Sequence, residues 1–402
     1  MALMPVAEAL ARVLADARPL PAEAARLIEA HGRVLAENIQ ALRTQPPADV
    51  SAMDGYAVRA ADVATAPARL KLIGEVAAGH PFAGTVGAGE TARIFTGGVL
   101  PPGADTVVIQ ENTSRAADTV VVTATAPAGK NVRRAGLDFT KGDTLLARGR
   151  RLTDRDLALA AAANHPSVPV HRRPKLAVLA TGDELVLPGS APGPGEIVYS
   201  NGYALSALAL AEGCDVMDLG IVPDRLAETA AAVRRAADGG ADILVTSGGA
   251  SVGDYDLVQP ALAAEGLALS FWKVALRPGR PMMHGRLGDM HVLGLPGNPV
   301  SAYVCAVLFL VPLIRRLSGR SDVEPAPESA VLGSALAAND ERTDYLRASL
   351  AYGPDGPVAT PFPVQDSSML VPLAKADCLV LREPFAPQAP AGSRCSILKL
   401  AL

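Results

Sequence analysis

Three apolar runs in the middle of the chain each break into a glycine-bearing polar loop: Lys175-LAVLA-TGDE-Leu185, Ala241-DILVT-SGGASVGDYD-Leu257 and Met290-HVLGLPGNP-Val300. Short runs of this kind, rich in Val, Leu and Ile, predict fully buried strands that carry loops at their C-terminal ends. From 171 to about 320 such runs alternate with helical patterns near 202–212, up to Ala237 and over 300–317. The alternation predicts a doubly wound, mostly parallel α/β sheet. Before it, residues 1–17 predict an amphipathic helix, and Pro21-AEAARLIEAH-Gly32 predicts another, with proline near its start and glycine past its end. Leu70-KLIGEV-Ala77, Thr91-ARIF-Thr96, Asp105-TVVIQ-Glu111 and Asp118-TVVVTA-Thr125 predict a small β-rich domain. Thr153, with Asp156 three residues on, predicts a helix opened by a capping box. Beyond the Ser/Gly/Pro-rich 318–328, runs such as Ala376-DCLVLR-Glu383 and Arg394-CSILK-Leu400 predict a C-terminal β domain.

A length of 402 residues allows two to four domains. With 49% hydrophobic but only 4% aromatic residues, the cores must be built from Ala, Val and Leu. A net charge of −4 gives no general attraction to nucleic acid or anionic membrane. The four cysteines form no C-x-x-C pair or Cys/His ligand spacing, which argues against a disulfide framework or zinc site and fits a reducing cytoplasm. Val300-SAYVCAVLFLVPL-Ile314 is short for a membrane span and is read as a buried helix.

Ligands of open α/β sheets sit outside the carboxyl ends of the strands. Here those ends carry acids, hydroxyls and small residues. Thr246-SGGASVGDY-Asp256 allows close approach of backbone N–H groups to a phosphate, and Asp254 and Asp256 suit a Mg²⁺ shared with substrate phosphates. Thr181-GDE-Leu185 adds a second acid pair. Lys273, Arg277 and Arg280 flank a Pro-Gly turn and suit an oxyanion. Pro296-Gly297-Asn298 precedes a helix whose N-terminus can face an anion. Each feature alone is equally a cap, turn or solvated loop. Asp54-Gly55 alone reads as a hairpin corner.

Taken together, Ser51-AMDGYAVR, Ile94-FTGGVLPPGAD, Arg134-AGLDF-Thr140, Thr181-GDEL, Ser247-GGASVGDYD, Leu276-RPGRP and Leu295-PGNPVSA stand in an order that resembles the MoeA-type molybdopterin molybdenumtransferases, whose animal counterpart is the E domain of gephyrin. The resemblance covers nearly the whole chain. It implies four domains: a connecting domain (19–45 and 138–170), a small β-rich domain (46–137), the α/β molybdopterin-binding domain (171–320), on which an N-terminal helix (1–18) packs, and a C-terminal β domain (325–402). It also implies a homodimer that takes adenylylated molybdopterin and molybdate, cleaves the phosphoanhydride with Mg²⁺, and releases AMP and the molybdenum cofactor. Transient contact with the preceding adenylyltransferase and with recipient molybdoenzymes follows from that role, with no part for nucleic acid or membrane.

By motif, the catalytic set implied is Asp54, Thr96, Asp138, Glu184, Asp256 and Lys273, with Glu184 and Asp256 as the metal ligands. Asp224, Ser247, Gly248, Gly249, Arg277, Arg280, Pro296, Gly297, Asn298, Ser367 and Ser368 would bind substrate. Arg277 and Arg280 stand where many members carry lysine, which widens the cation's fork. Two rivals remain. The adenylyltransferase shares the α/β fold but lacks the Ser51-AMDGYAVR region and the C-terminal β domain. A molybdopterin-binding scaffold without catalysis would leave the acid pairs idle.

Overall fold

The computed structural model describes residues 3–248, 257–354 and 356–400. Helix α1 (Val6–Ala15) is shorter than the predicted 1–17 and buries Ala9, Val13 and Leu14. The second predicted helix does not form. Ala22–Arg26 is instead a strand, paired antiparallel with Ser167–His171, and only Leu27–Glu29 keeps a single 3-10 turn. Pairing with a segment nearly 150 residues away overrides a helical propensity that is a weak prior. The apolar stripe that suggested a helix is not buried as one, since Ile28 is 84% exposed. Helix α2 (Asp154–Ala162) has the predicted capping box, with Thr153 and Asp156 bonded reciprocally.

The β-rich region is a six-stranded sheet of β1 (Gly55–Val58), β2 (Ala68–Val76), β3 (Glu90–Ile94), β4 (Thr106–Ile109), β5 (Thr113–Ala116) and β6 (Thr119–Val122), in the order β4-β1-β3-β2-β6-β5. Asp54-Gly55 is therefore no hairpin corner: Gly55 opens β1. A Cβ there would lie 2.0 Å from the Val108 carbonyl oxygen, so strand approach rather than a turn requires the glycine.

The α/β sheet comprises β7 (Lys175–Thr181), β8 (Asp215–Val222), β9 (Ile243–Ser247), β10 (Ala268–Trp272), β11 (Met283–Leu287) and β12 (Met290–Leu295), in the order β8-β7-β9-β12-β11-β10. Strands β8, β7, β9 and β12 are parallel, and β11 and β10 add antiparallel at one edge. Helices α3 (Asn201–Ala211), α4 (Leu226–Asp238), α5 (Val258–Ala264) and α6 (Pro299–Leu317) complete this domain. One face of the sheet packs Leu176, Ile243 and Leu293 under α1, α3 and α6; the other packs Leu179, Leu244 and Val292 under α4 and α5. Burial on both faces explains why the parallel strands read as continuous apolar runs. Helix α6 has 19 residues, one more than the predicted 300–317, and is long and apolar enough to cross a membrane by length and composition alone. It is nonetheless a core helix, 83% buried within the protein.

Six further strands form the C-terminal sheet: Leu276–Arg277, Thr343–Gly353, Gly356–Pro361, Glu328–Leu332, Arg394–Lys399 and Cys378–Arg382. The first belongs to the α/β region in sequence. It pairs in parallel with Thr343 and Asp344, which sews the Leu276-RPGRP loop to the C-terminal sheet.

Candidate active site

The carboxyl ends of β7, β9 and β12 open into a 580 Å³ cavity. Its lining includes Glu184, Ser247, Gly248, Pro296, Gly297, Asn298 and Ser368, seven of the residues expected to act. Main-chain bonds hold the rim: Gly248 N donates to Leu295 O, and Gly182 N to Val222 O. Gly248 has φ +93°, and a Cβ there would meet the Thr181 carbonyl at 2.8 Å. Only glycine lets these two loops approach so closely.

Sequence reasoning passed over Asn201, which joins two of the loops. Its Nδ2 donates to Ser247 Oγ and to Gly297 O, each at 2.7 Å. Tyr199 and Thr181 line the cavity as well, are 3% and 5% exposed, and have hydroxyls without partners among the described residues. Burial pushes the Tyr199 phenol up to about 12, so it is a neutral donor at ordinary pH. The signal was present in the sequence as Tyr199-Ser-Asn201, but nothing in the chain order said that it faces the strand ends.

Ser367 and Ser368 come from the C-terminal domain, yet they meet the α/β rim. Asn298 Nδ2 donates to Ser367 Oγ at 2.9 Å, and Val300 N donates to Ser367 O at 3.0 Å. The start of α6, expected to face an anion, thus already has one amide satisfied by the C-terminal loop, and Pro299 supplies none. That loop is fixed in turn by buried Arg347, which donates to the carbonyls of Met369 (3.0 Å), Val364 (3.4 Å) and Asp366 (2.9 Å).

The acids gather at one end. Asp224 N donates to Asp183 Oδ1 at 3.2 Å, and the Asp224 carboxyl is pushed up, first by desolvation and then by the charges of Asp183 and Glu184. Crowded like charges favour a cation. Among the described residues no group of three His, Cys, Asp or Glu forms a metal cage. An ion held by one or two carboxylates, waters and substrate phosphates needs no such cage, so the acids fit Mg²⁺. The loop 249–256, with Gly249, Asp254 and Asp256, lies outside the described residues.

The two arginines of the Pro-Gly turn part company. Arg277 is bound to the C-terminal domain, paired with Asp340 at 3.1 Å and with Asp344, and bonded to Asn339 Oδ1. It lines a separate 360 Å³ cavity there. Arg280 is exposed, adjoins Pro281 of the α/β cavity, and its side chain has no hydrogen-bonded or ion-paired partner among the described residues. Lys273 adopts φ +79°, and its ammonium stands 5.5 Å from the centre of the Trp272 ring.

Asp54 and Thr96 lie in the small β domain, and the fold brings them together. Thr96 donates both its backbone N–H and its hydroxyl to Asp54 Oδ1, each at 2.7 Å. Those bonds, the backbone one first, hold the Asp54 carboxyl below the ordinary carboxylate range. Asp138 sits in the adjoining segment, its N–H donating to Gln45 O. None of the residues lining the α/β cavity comes from 46–137.

Three family models match in succession: the MoeA N-terminal region (domains I and II) over residues 4–164, a probable molybdopterin-binding domain over 177–316, and the MoeA C-terminal region (domain IV) over 329–400. The chain is 35% identical over 382 residues to a molybdopterin molybdenumtransferase of Haemophilus influenzae, covering 94% of each. It is 34% identical to that of Bacillus subtilis, covering 94% of this chain and 90% of the relative. The chain belongs to the MoeA family. A solved molybdopterin biosynthesis MoeA protein from Pyrococcus horikosii superposes with a TM-score of 0.86 at 31% identity, covering all of both chains. The α/β cavity therefore lies in the part of the MoeA fold matched as a probable molybdopterin-binding domain, and the Asp54–Thr96 pair in the MoeA N-terminal region.

Proposed function

We propose that this chain inserts molybdenum into adenylylated molybdopterin, taking molybdate as substrate and releasing AMP. The observation that carries the reading is the 580 Å³ cavity at three parallel strand ends, in a chain matched to the transferases over nearly its full length. The cavity offers a pterin phosphate the Gly297 N–H and the hydroxyls of buried Ser247 and Thr181. Desolvated donors of this kind stabilise charge as it develops on an oxyanion. Arg280 and Lys273 supply positive charge for molybdate; Arg277 joins them only by exchanging one of its carboxylate partners. Asp183, Glu184 and Asp224, with Asp256, fit a Mg²⁺ that would polarise the phosphoanhydride when bound. Asp54 enters as an ionised carboxylate with one oxygen engaged by Thr96 and the other open.

We further infer that the working unit is a homodimer in which Asp54, Thr96 and Asp138 of one subunit meet the α/β cavity of the other. The separation of the small-domain residues from the cavity lining within one chain supports this. The test is a reconstitution with purified protein, adenylylated molybdopterin, Mg²⁺ and molybdate. Molybdate-dependent AMP release with active cofactor formed is the expected result. Substrate bound without AMP release overturns the transferase reading and leaves a binding scaffold.

A further inference from the structure

Arg93, on β3, has no carboxylate partner among the described residues, yet both its terminal nitrogens are hydrogen-bonded. Its guanidinium carbon lies 5.0 Å from the centre of the Tyr56 ring and 4.9 Å from that of Phe95, so the planar group is stacked against two aromatic side chains. Nη1 donates to Gly55 O at 3.3 Å, and Nη2 to Gln110 Oε1 at 2.7 Å. Gln110 closes the ring, because its backbone N–H donates to Asp54 O at 3.1 Å. The peptide that carries Asp54 is thereby gripped on both sides: at Asp54 O through Gln110, and at Gly55 O by the guanidinium. Thr96, three residues after Arg93, grips the side chain. Of the two Asp54 carboxylate oxygens, Oδ2 is the one without a partner among the described residues.

We propose that Arg93 is the positioning residue of the Asp54–Thr96 pair, its two-pronged bridge fixing the free oxygen of Asp54 toward the reacting groups. Lysine cannot replace it, because an ammonium on a flexible stem neither stacks flat between two rings nor spans two acceptors in one plane. The guanidinium's charge also helps Thr96 to keep Asp54 ionised, but charge is the part of the role that lysine retains. The proposal rests on the reading that Asp54 takes part in the reaction.

The experiment compares Arg93→Lys, Arg93→Gln and Gln110→Ala in the full-length protein, by steady-state AMP release and by the pH titration of the Thr96 amide in NMR spectra. A misplacement of about 1 Å costs on the order of 100-fold in rate, so both arginine variants should lose about that much kcat with KM for the adenylylated substrate unchanged. Gln110→Ala, which leaves the arginine in place, should show the same pattern at about a tenth of the effect. The Thr96 amide should follow the Asp54 carboxyl in the wild type. Its midpoint should move up in both variants as the Asp54–Thr96 bond loosens, further in Arg93→Gln because the charge is lost as well, and the amplitude should fall in both. Full kcat in Arg93→Lys, or a risen KM with kcat intact, overturns the positioning role. An unchanged Thr96 amplitude in both variants overturns it as well, even if the wild type releases no AMP; that last result alone defeats the functional reading instead.

Discussion

The α/β rim and the Asp54–Thr96 corner prepare charge in opposite ways. At the rim, desolvation and neighbouring acids push Asp224 up, and hydroxyls of Tyr199 and Thr181 stand buried without partners among the described residues. At the corner the carboxylate is open to solvent, already neutral in its hydrogen-bond needs on one oxygen, and held ionised. The rim is strained toward a ligand that would bring cations and acceptors; the corner needs none to be stable. On the function proposed here each is half of a site, one receptive and one reactive, and within one chain the Asp54–Thr96 corner contributes nothing to the lining of the α/β cavity.

The largest effect that can break this division is Asp54→Ala, which should lower turnover about 10²- to 10⁴-fold while leaving thermal unfolding unchanged. Mixing that variant with Glu184→Ala sharpens it. If each site draws on two subunits, random dimers should regain about a quarter of the wild-type rate, since one site in half of them is intact. If each site lies within one chain, no mixture recovers activity.

Next come the two arginines. Arg277→Ala leaves buried Asp344, already pushed up by desolvation, without its cation and should cost about 1–3 kcal/mol in denaturant unfolding. Arg280→Ala should change stability by less than about 0.5 kcal/mol and raise the KM for molybdate. The reverse pattern would place the oxyanion on Arg277. Gly248→Ala follows, at about 1–2 kcal/mol for a side chain at positive φ, with weaker substrate binding measured by calorimetry.

A last test, of stability against pH rather than of the site, falls on two neighbouring strands of the same sheet. His284 and His291 are buried and stacked, with centroids 5.7 Å apart, beside Arg286, which pairs with Asp289; Asp16 is the acid that acts on His284. Desolvation first, then the Arg286 charge, lowers them to about 4 and about 3 from 6.5. The unfolded chain therefore takes up protons first as pH falls. Stability present above about 6.5 should be lost from there downward, by about 1.4 kcal/mol per pH unit for each histidine until its folded value is reached. A flat unfolding free energy between pH 6.5 and 4.5 would contradict this, as would an unaltered slope in His291→Leu.

The α/β sheet was legible because strands buried on both faces must be apolar throughout, and runs such as Leu176–Ala180 have no other reading at that length. The site motifs were legible because small and acidic residues interrupt those runs at fixed places. Pro21–Gly32 was misread because a helical stripe and a strand tied to a distant segment use the same alanines and leucines. Asn201, Tyr199 and Arg93 were passed over because none belongs to a loop whose composition sets it apart; each matters through what lies opposite.

The order of the motifs alone determined the family, and the buried runs determined the α/β class. What only the tertiary structure decided is which polar groups remain available. Arg277 and Arg280 are the same residue type three positions apart, yet one is bound to Asp340 and Asp344 and the side chain of the other has no partner among the described residues. Sequence specifies the charge a side chain carries, whereas the partners that compensate it come from elements far away in the chain.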